Sequence, residues 1–143
     1  MKFNEIEHDQ WPDLKPYLDT CLLPFTGLRG FEDPAQTTLA LEQLRDALEA
    51  IEIPYKGRVV TYPAVHYMTG LDVMEQLNAI SLQLKHAGFR YVIVLTIHTA
   101  AEQWKAEHMD LLLAVDMQDW TSQSKDIKSR ISEQVQQLWK QGD

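Results

Sequence analysis

Six side chains in this 143-residue sequence pair a reactive type with a position just beyond an apolar run: Arg29, His66, His98, Glu102, Asp116 and Asp119. His98 directly follows Tyr91-Val-Ile-Val-Leu-Thr-Ile97. A neutral imidazole delivered there can ligate a metal or move a proton. Glu102 stands four residues on and shares a face with His98 if a helix follows. One histidine and one glutamate are too few for a zinc centre, which takes three or four protein ligands. His66, after Arg58-Val-Val-Thr-Tyr62, and Asp116, after Leu111-Leu-Leu-Ala-Val115, would complete the set. Asp116 and Asp119 flank a turn before Trp120, where two carboxylates can act as acid and base or hold a cation. Arg29 is the basic residue of the first loop and suits an anionic ligand. Four of these have a plainer reading. His98 caps the following helix or bonds a carbonyl, Asp116 and Asp119 accept the first free amides of a helix, and Arg29 is a surface charge near Glu32 and Asp33.

The elements that would position these residues follow from pattern. Residues 3–18 are polar and aromatic, and Pro12 and Pro16 hold any helix there to short pieces. Cys21-Leu-Leu-Pro-Phe25 is a continuous apolar run, as in a strand covered on both faces. Its Pro24 cannot donate to a ladder and belongs near the strand's end or at an edge. Asp33-Pro34 is a helix start, and Leu41, Leu44, Leu48 and Ile51 share one face of a helix that ends before Pro54. Arg58–Tyr62 reads as a second strand. Leu71–His86 is a helix with Val73, Leu77, Ile80 and Leu84 as its buried stripe, Met74 beside it and Gly88 as C-cap. Tyr91–Ile97, β-branched and uncharged, is the central strand. A short helix over Ala100–Glu107, a fourth strand over Leu111–Val115 and a last helix over Ser124–Lys140, with Ile127, Ile131, Val135 and Leu138 inward, complete the chain.

This alternation predicts a single α/β domain over residues 1–143. The expected architecture is a three-layer sandwich, with a mainly parallel sheet of four or five strands and helices on both faces. Ligands of such sheets lie beyond the carboxyl ends of the strands. That rule selects four loops: Thr26–Asp33, Ala64–Gly70, His98–Ala101 and Asp116–Thr121.

Composition narrows the partners. A formal charge of −8 argues against a phosphate backbone or an anionic membrane surface. No apolar stretch approaches the ~20 residues a membrane helix needs. Cys21 is the single cysteine, so no internal disulfide forms, and its natural place is as a small buried hydrophobe. Met1-Lys2-Phe3-Asn4-Glu5 turns polar at once, so a cytoplasmic location is expected. Neither common phosphate-binding glycine loop nor a Gly-x-Ser-x-Gly elbow occurs. Trp11, Trp104, Trp120 and Trp139 either finish the core at helix ends or, exposed together, mark an association surface.

Three stretches carry a resemblance. Asp19-Thr-Cys-Leu-Leu-Pro24, the Lys56-Gly-Arg-Val-Val60 strand entry followed by Pro63, and Gly88-Phe-Arg-Tyr-Val-Ile93 look like the YpiF-like family of small bacterial proteins of unknown function. In layout the chain also resembles the creatininase family of metal-dependent amidohydrolases. There the first strand ends in Leu-Pro before a loop with a Glu and a His. A later strand, entered through a Gly-Phe-Arg-like turn, ends in Asn-Gly-His-Gly-Gly-Asn. Leu23-Pro24 and Gly88-Phe89-Arg90 match, and Thr96-Ile97-His98-Thr99-Ala100 stands where the glycine-rich motif would be, with its histidine alone retained. The first loop, Thr26-Gly-Leu-Arg-Gly-Phe-Glu-Asp33, has no histidine.

The resemblance therefore implies a creatininase-like fold and a site location. The departures favour a non-catalytic domain that binds a small molecule or a protein and holds no cofactor. The alternative is a small metal-dependent hydrolase rearranged around His66, His98, Glu102 and Asp116. Open sheet edges make a homodimer an expectation.

Overall fold

The computed structural model describes residues 1–68, 73–98 and 105–142. After a 3-10 turn at Phe3–Glu5 the elements are α1 (Trp11–Leu14), β1 (Thr20–Phe25), α2 (Pro34–Glu52), β2 (Val59–Thr61), α3 (Val73–His86), β3 (Tyr91–Thr96), β4 (Leu111–Ala114) and α4 (Trp120–Gly142). The four strands form one sheet in the order β2-β1-β3-β4, every pair parallel. The longest register joins the two interior strands, from Thr20↔Tyr91 to Phe25↔Thr96.

The chain steps one way from β1 to β2, then back past β1 to reach β3. Two crossovers of the same hand in opposite directions put their helices on opposite faces. Accordingly α2 joins α4 over Leu22, Val59, Ile93 and Leu95, whereas α3 covers Leu23, Phe25 and Val94 on the other side. The N-terminal segment with α1 completes that second layer over Cys21, Val60 and Val92. This is the three-layer α/β sandwich the alternation predicts. All six residues of β3 are buried. Five of them are wholly so, Thr96 and the aliphatic Val92, Ile93, Val94 and Leu95. At about 2 kcal/mol for each such side chain, this strand alone contributes on the order of the net stability of a whole domain.

Pro24 is the penultimate residue of an interior strand, and the pattern of hydrogen bonds explains why it is tolerated. The Leu22 and Pro24 carbonyls accept from the amides of Tyr62 and Val65, so both residues turn their backbone groups toward β2. The β1–β2 ladder ends at Leu22↔Thr61, and pairing resumes only at the Phe25↔Val65 bridge. The missing N–H therefore falls in a gap where no ladder bond is interrupted.

The helices refine the expected stripes. Asp33 and Gln36 form a reciprocal capping box at the start of α2, with Pro34 in the first turn. Leu44 and Ile51 are buried as expected and Leu48 is partly so, but Leu41 is exposed. Ala47 and Ala50 are buried beside them, which lets the helix lie close to the sheet. Glu52 is also buried, and its carboxylate accepts from the Thr61 hydroxyl at 2.7 Å. In α3, Leu77 is the buried centre of the stripe, and Gly88, at φ 122°, follows its last turn. The last helix is preceded by a helical turn from Trp120, and Gln123, with non-helical φ −128° and ψ 21°, separates that turn from the helix expected from Ser124. Trp139 replaces Leu138 as its fully inward residue. Its indole N–H donates to the buried Thr20 hydroxyl at 2.9 Å, its ring packs edge-on to Tyr55, and the Arg58 guanidinium lies 4.2 Å over it.

Of the short helix expected over Ala100–Glu107, residues 100–104 lie outside the described residues, as does the expected helix start at Leu71. Residues 105–107 are not helical. Asn78 of α3 organises this approach to β4. Its amide oxygen accepts from the backbone N–H of both Glu107 and His108 at 2.9 Å, and its nitrogen donates to the Met74 carbonyl at 3.0 Å.

Two outcomes follow. Asn78→Ala orphans both amides and is expected to lower unfolding free energy by about 2 kcal/mol in urea titration. Burial pushes the Cys21 thiol up to about 12. The unfolded chain then ionises this thiol from about pH 9 while the folded chain does not, so the unfolded state binds fewer protons and stability falls as pH rises from 9 toward 12. Cys21→Ala should flatten that decline in denaturation curves recorded from pH 8 to 11.

Candidate functional site

The direction of the crossovers reverses between β1 and β3, and the crevice beyond their carboxyl ends is the position where such sheets hold ligands. Continuing the β1–β3 register two residues past Phe25↔Thr96 sets Gly27 opposite His98. The structure has this contact: a β-carbon on Gly27 would stand 3.5 Å from His98 Cβ. That is ordinary packing distance, so the demand for glycine comes from its φ of 78°.

Both interior strands end in the same device. The buried Thr26 hydroxyl accepts from the Leu28 amide at 3.3 Å, and the buried Thr96 hydroxyl accepts from the His98 amide at 3.1 Å. Each threonine thereby turns the chain within two residues of the strand's end, by the local side-chain-to-backbone bond these residues favour. Thr26 also donates to the Val65 carbonyl.

The loop after β2 is built onto the loop after β1. Val65 donates to Pro24, Thr26 to Val65, and Tyr67 to Leu28, at 2.8, 3.0 and 2.8 Å. These bonds hold Tyr67 at φ 61°, a left-handed conformation that costs a bulky side chain about 1 kcal/mol. Tyr67 remains 63% exposed, its ring beside Gly30 and the ring of His66. Within the first loop, the Glu32 carboxylate accepts from the amides of Arg29 and Gly30 at 2.9–3.1 Å. Those bonds hold its acid below the usual carboxylate range. The Arg29 guanidinium lies 5.9 Å over the ring of Phe31, itself 76% exposed.

Arg29, His66 and His98 thus all stand in loops at the carboxyl edge, with His98 against Gly27. Asp116 and Asp119 lie apart, on a cleft between β4 and α4. The Asp116 carboxylate accepts from the Gln118 amide at 2.9 Å, and the Asp119 carbonyl receives the Gln123 amide. Strands sit about 4.8 Å apart, so the loops after β2 and β4 are about 14 Å from each other across the sheet. Among the described residues, no three of His, Cys, Asp and Glu stand together as metal ligands. Glu102 lies outside the described residues, as do Trp104, Gly70 and Thr99–Ala101. Of the other tryptophans, Trp11 packs on Phe89 and Trp120 is partly buried against the core.

The reactive residue types led to Arg29 and the histidines but passed over Phe31, Glu32 and Tyr67. Thr26 and Thr96 were readable, since a threonine closing an apolar strand is a signal for this turn. Tyr67 leaves no such signal, because nothing in a tyrosine predicts a left-handed backbone. Tyr67→Gly should leave urea stability unchanged or raise it by up to about 1 kcal/mol, although it deletes an aromatic ring. Tyr67→Val should lower it by about as much, because a β-branched residue tolerates this conformation least.

No helix among the described residues is long and apolar enough to cross a membrane. No curated protein and no solved structure matches the chain. A family described as "Protein of unknown function (DUF2487)" matches residues 9–141, and the chain belongs to that family.

Proposed function

We propose that the chain is a non-catalytic binding domain whose site is the carboxyl edge around Gly27, Tyr67 and His98, and that its ligand is a small planar or anionic molecule. The observation that carries this reading is Tyr67. A bulky residue is held in a left-handed conformation by backbone bonds to the neighbouring loop, with its ring largely in solvent. Local strain of this kind persists only where the surrounding structure enforces it, and it clusters at ligand sites. The neighbouring groups fit such a ligand. Tyr67 and Phe31 offer aromatic faces, Arg29 a guanidinium, and His66 and His98 imidazoles that donate or accept. The two interlocked loops are fixed before any ligand arrives, which limits the ordering cost of binding.

The competing hydrolase reading keeps His98 at the same address and adds Glu102, with the metal and the creatininase-like chemistry that the layout resembles. The two separate by experiment. In a fragment screen followed by amide chemical shifts, ring-bearing carboxylates should perturb Gly27–Gly30, Tyr67 and His98, and Tyr67→Gly should weaken the hits at least fivefold. Hits confined to other surfaces would contradict the proposal. So would stoichiometric zinc or manganese in the purified protein that is lost in His98→Ala.

A further inference from the structure

The two edges of the sheet are treated differently. At the β2 edge the chain covers itself: the Thr61 amide donates to the Met1 carbonyl at 2.8 Å, and Lys2 bridges Thr61 in parallel. At the other edge, β4 pairs with β3 and with no other strand among the described residues. The Val115 amide donates to Thr96, so the odd residues of β4 face β3. Leu112 and Ala114 therefore turn their N–H and C=O groups outward. An edge of this kind is a template for an added strand.

Beside it runs a cleft of about 650 Å³ between β4 and α4. The buried Ile127 and Ile131 lie at its floor. Its rim carries three carboxylates, Asp116, Asp119 and Glu133, against one guanidinium, Arg130. An added strand would project every second side chain toward α4, onto that floor or its rim, and the intervening ones to the opposite face of the sheet.

Charge decides the occupant. A second copy would join two chains of formal charge −8, which opposes association. A cationic segment is attracted by the same rim. We propose that the β4–α4 cleft docks an extended, basic segment of a partner protein as a fifth strand, with apolar residues and Lys or Arg sharing the every-second positions that face α4. This site is separate from the carboxyl edge around Gly27, and its test does not depend on that reading.

The probe is a library of randomised nine-residue peptides displayed on phage and selected against the full chain. Enriched sequences should carry Lys or Arg two residues from an apolar residue, so that both face α4. A synthetic enriched peptide should bind one to one and slow hydrogen exchange at the Leu112 and Ala114 amides. Glu133→Lys, a surface change, should weaken it at least tenfold, and a proline placed in the middle of the peptide should abolish binding. Enrichment of acidic or patternless peptides, binding that leaves both amides exchanging as before, or a dimer in sedimentation that protects them without peptide would each overturn the proposal.

Discussion

The parallel pairing of β1 with β3 is the constraint from which the remaining structure follows. Both strands are buried from two sides, and their six-residue register brings Leu22, Ile93 and Leu95 to one face and Leu23, Val94 and Phe25 to the other. Neither face can be left to water, so helices must cover both. Reaching β3 from β2 requires the chain to pass β1, and the common hand of the crossovers then sends α2 and α3 to opposite sides. The same reversal opens the crevice between the carboxyl ends of the two strands. Fold and site location thus have one cause.

At that crevice the sheet does not simply stop. Paired threonine turns end the two strands, and the loops after β1 and β2 continue to exchange backbone bonds as far as Tyr67 and Leu28. The ~1 kcal/mol stored at Tyr67 is small beside the apolar burial of β3, so the scaffold holds the strain without loss of cooperativity. His98 faces Gly27 across this junction because register places it there.

Much of this was legible in the sequence, for physical reasons that differ by element. The uncharged run at Tyr91–Ile97 announced a doubly covered strand, Asp33-Pro34 announced a helix start, and the alternation of elements announced a parallel sheet. Each rests on a local rule that tertiary contacts did not override. Leu41 misled because apolar spacing along α2 continues past the point where the helix leaves the sheet. Trp139 was passed over for Leu138 because its partner, Thr20, lies 119 residues away in sequence. Asn78 was hidden inside an apolar stripe, where its polar side chain serves backbone amides about thirty residues on. At the site, reactive types such as His98 stood out, while Tyr67 depends on a backbone angle that no residue type encodes.

The carboxyl edge is a rigid extension of the β1–β3 pair and not a pair of independent loops. Native-state hydrogen exchange of the Thr26, Val65 and Tyr67 amides probes that rigidity, because each donates between the two chain segments. All three should be protected and should open together, with a single free energy below that of the β3 amides. Exchange of Val65 and Tyr67 at the rate of an unstructured chain, with Thr26 still protected, would contradict it.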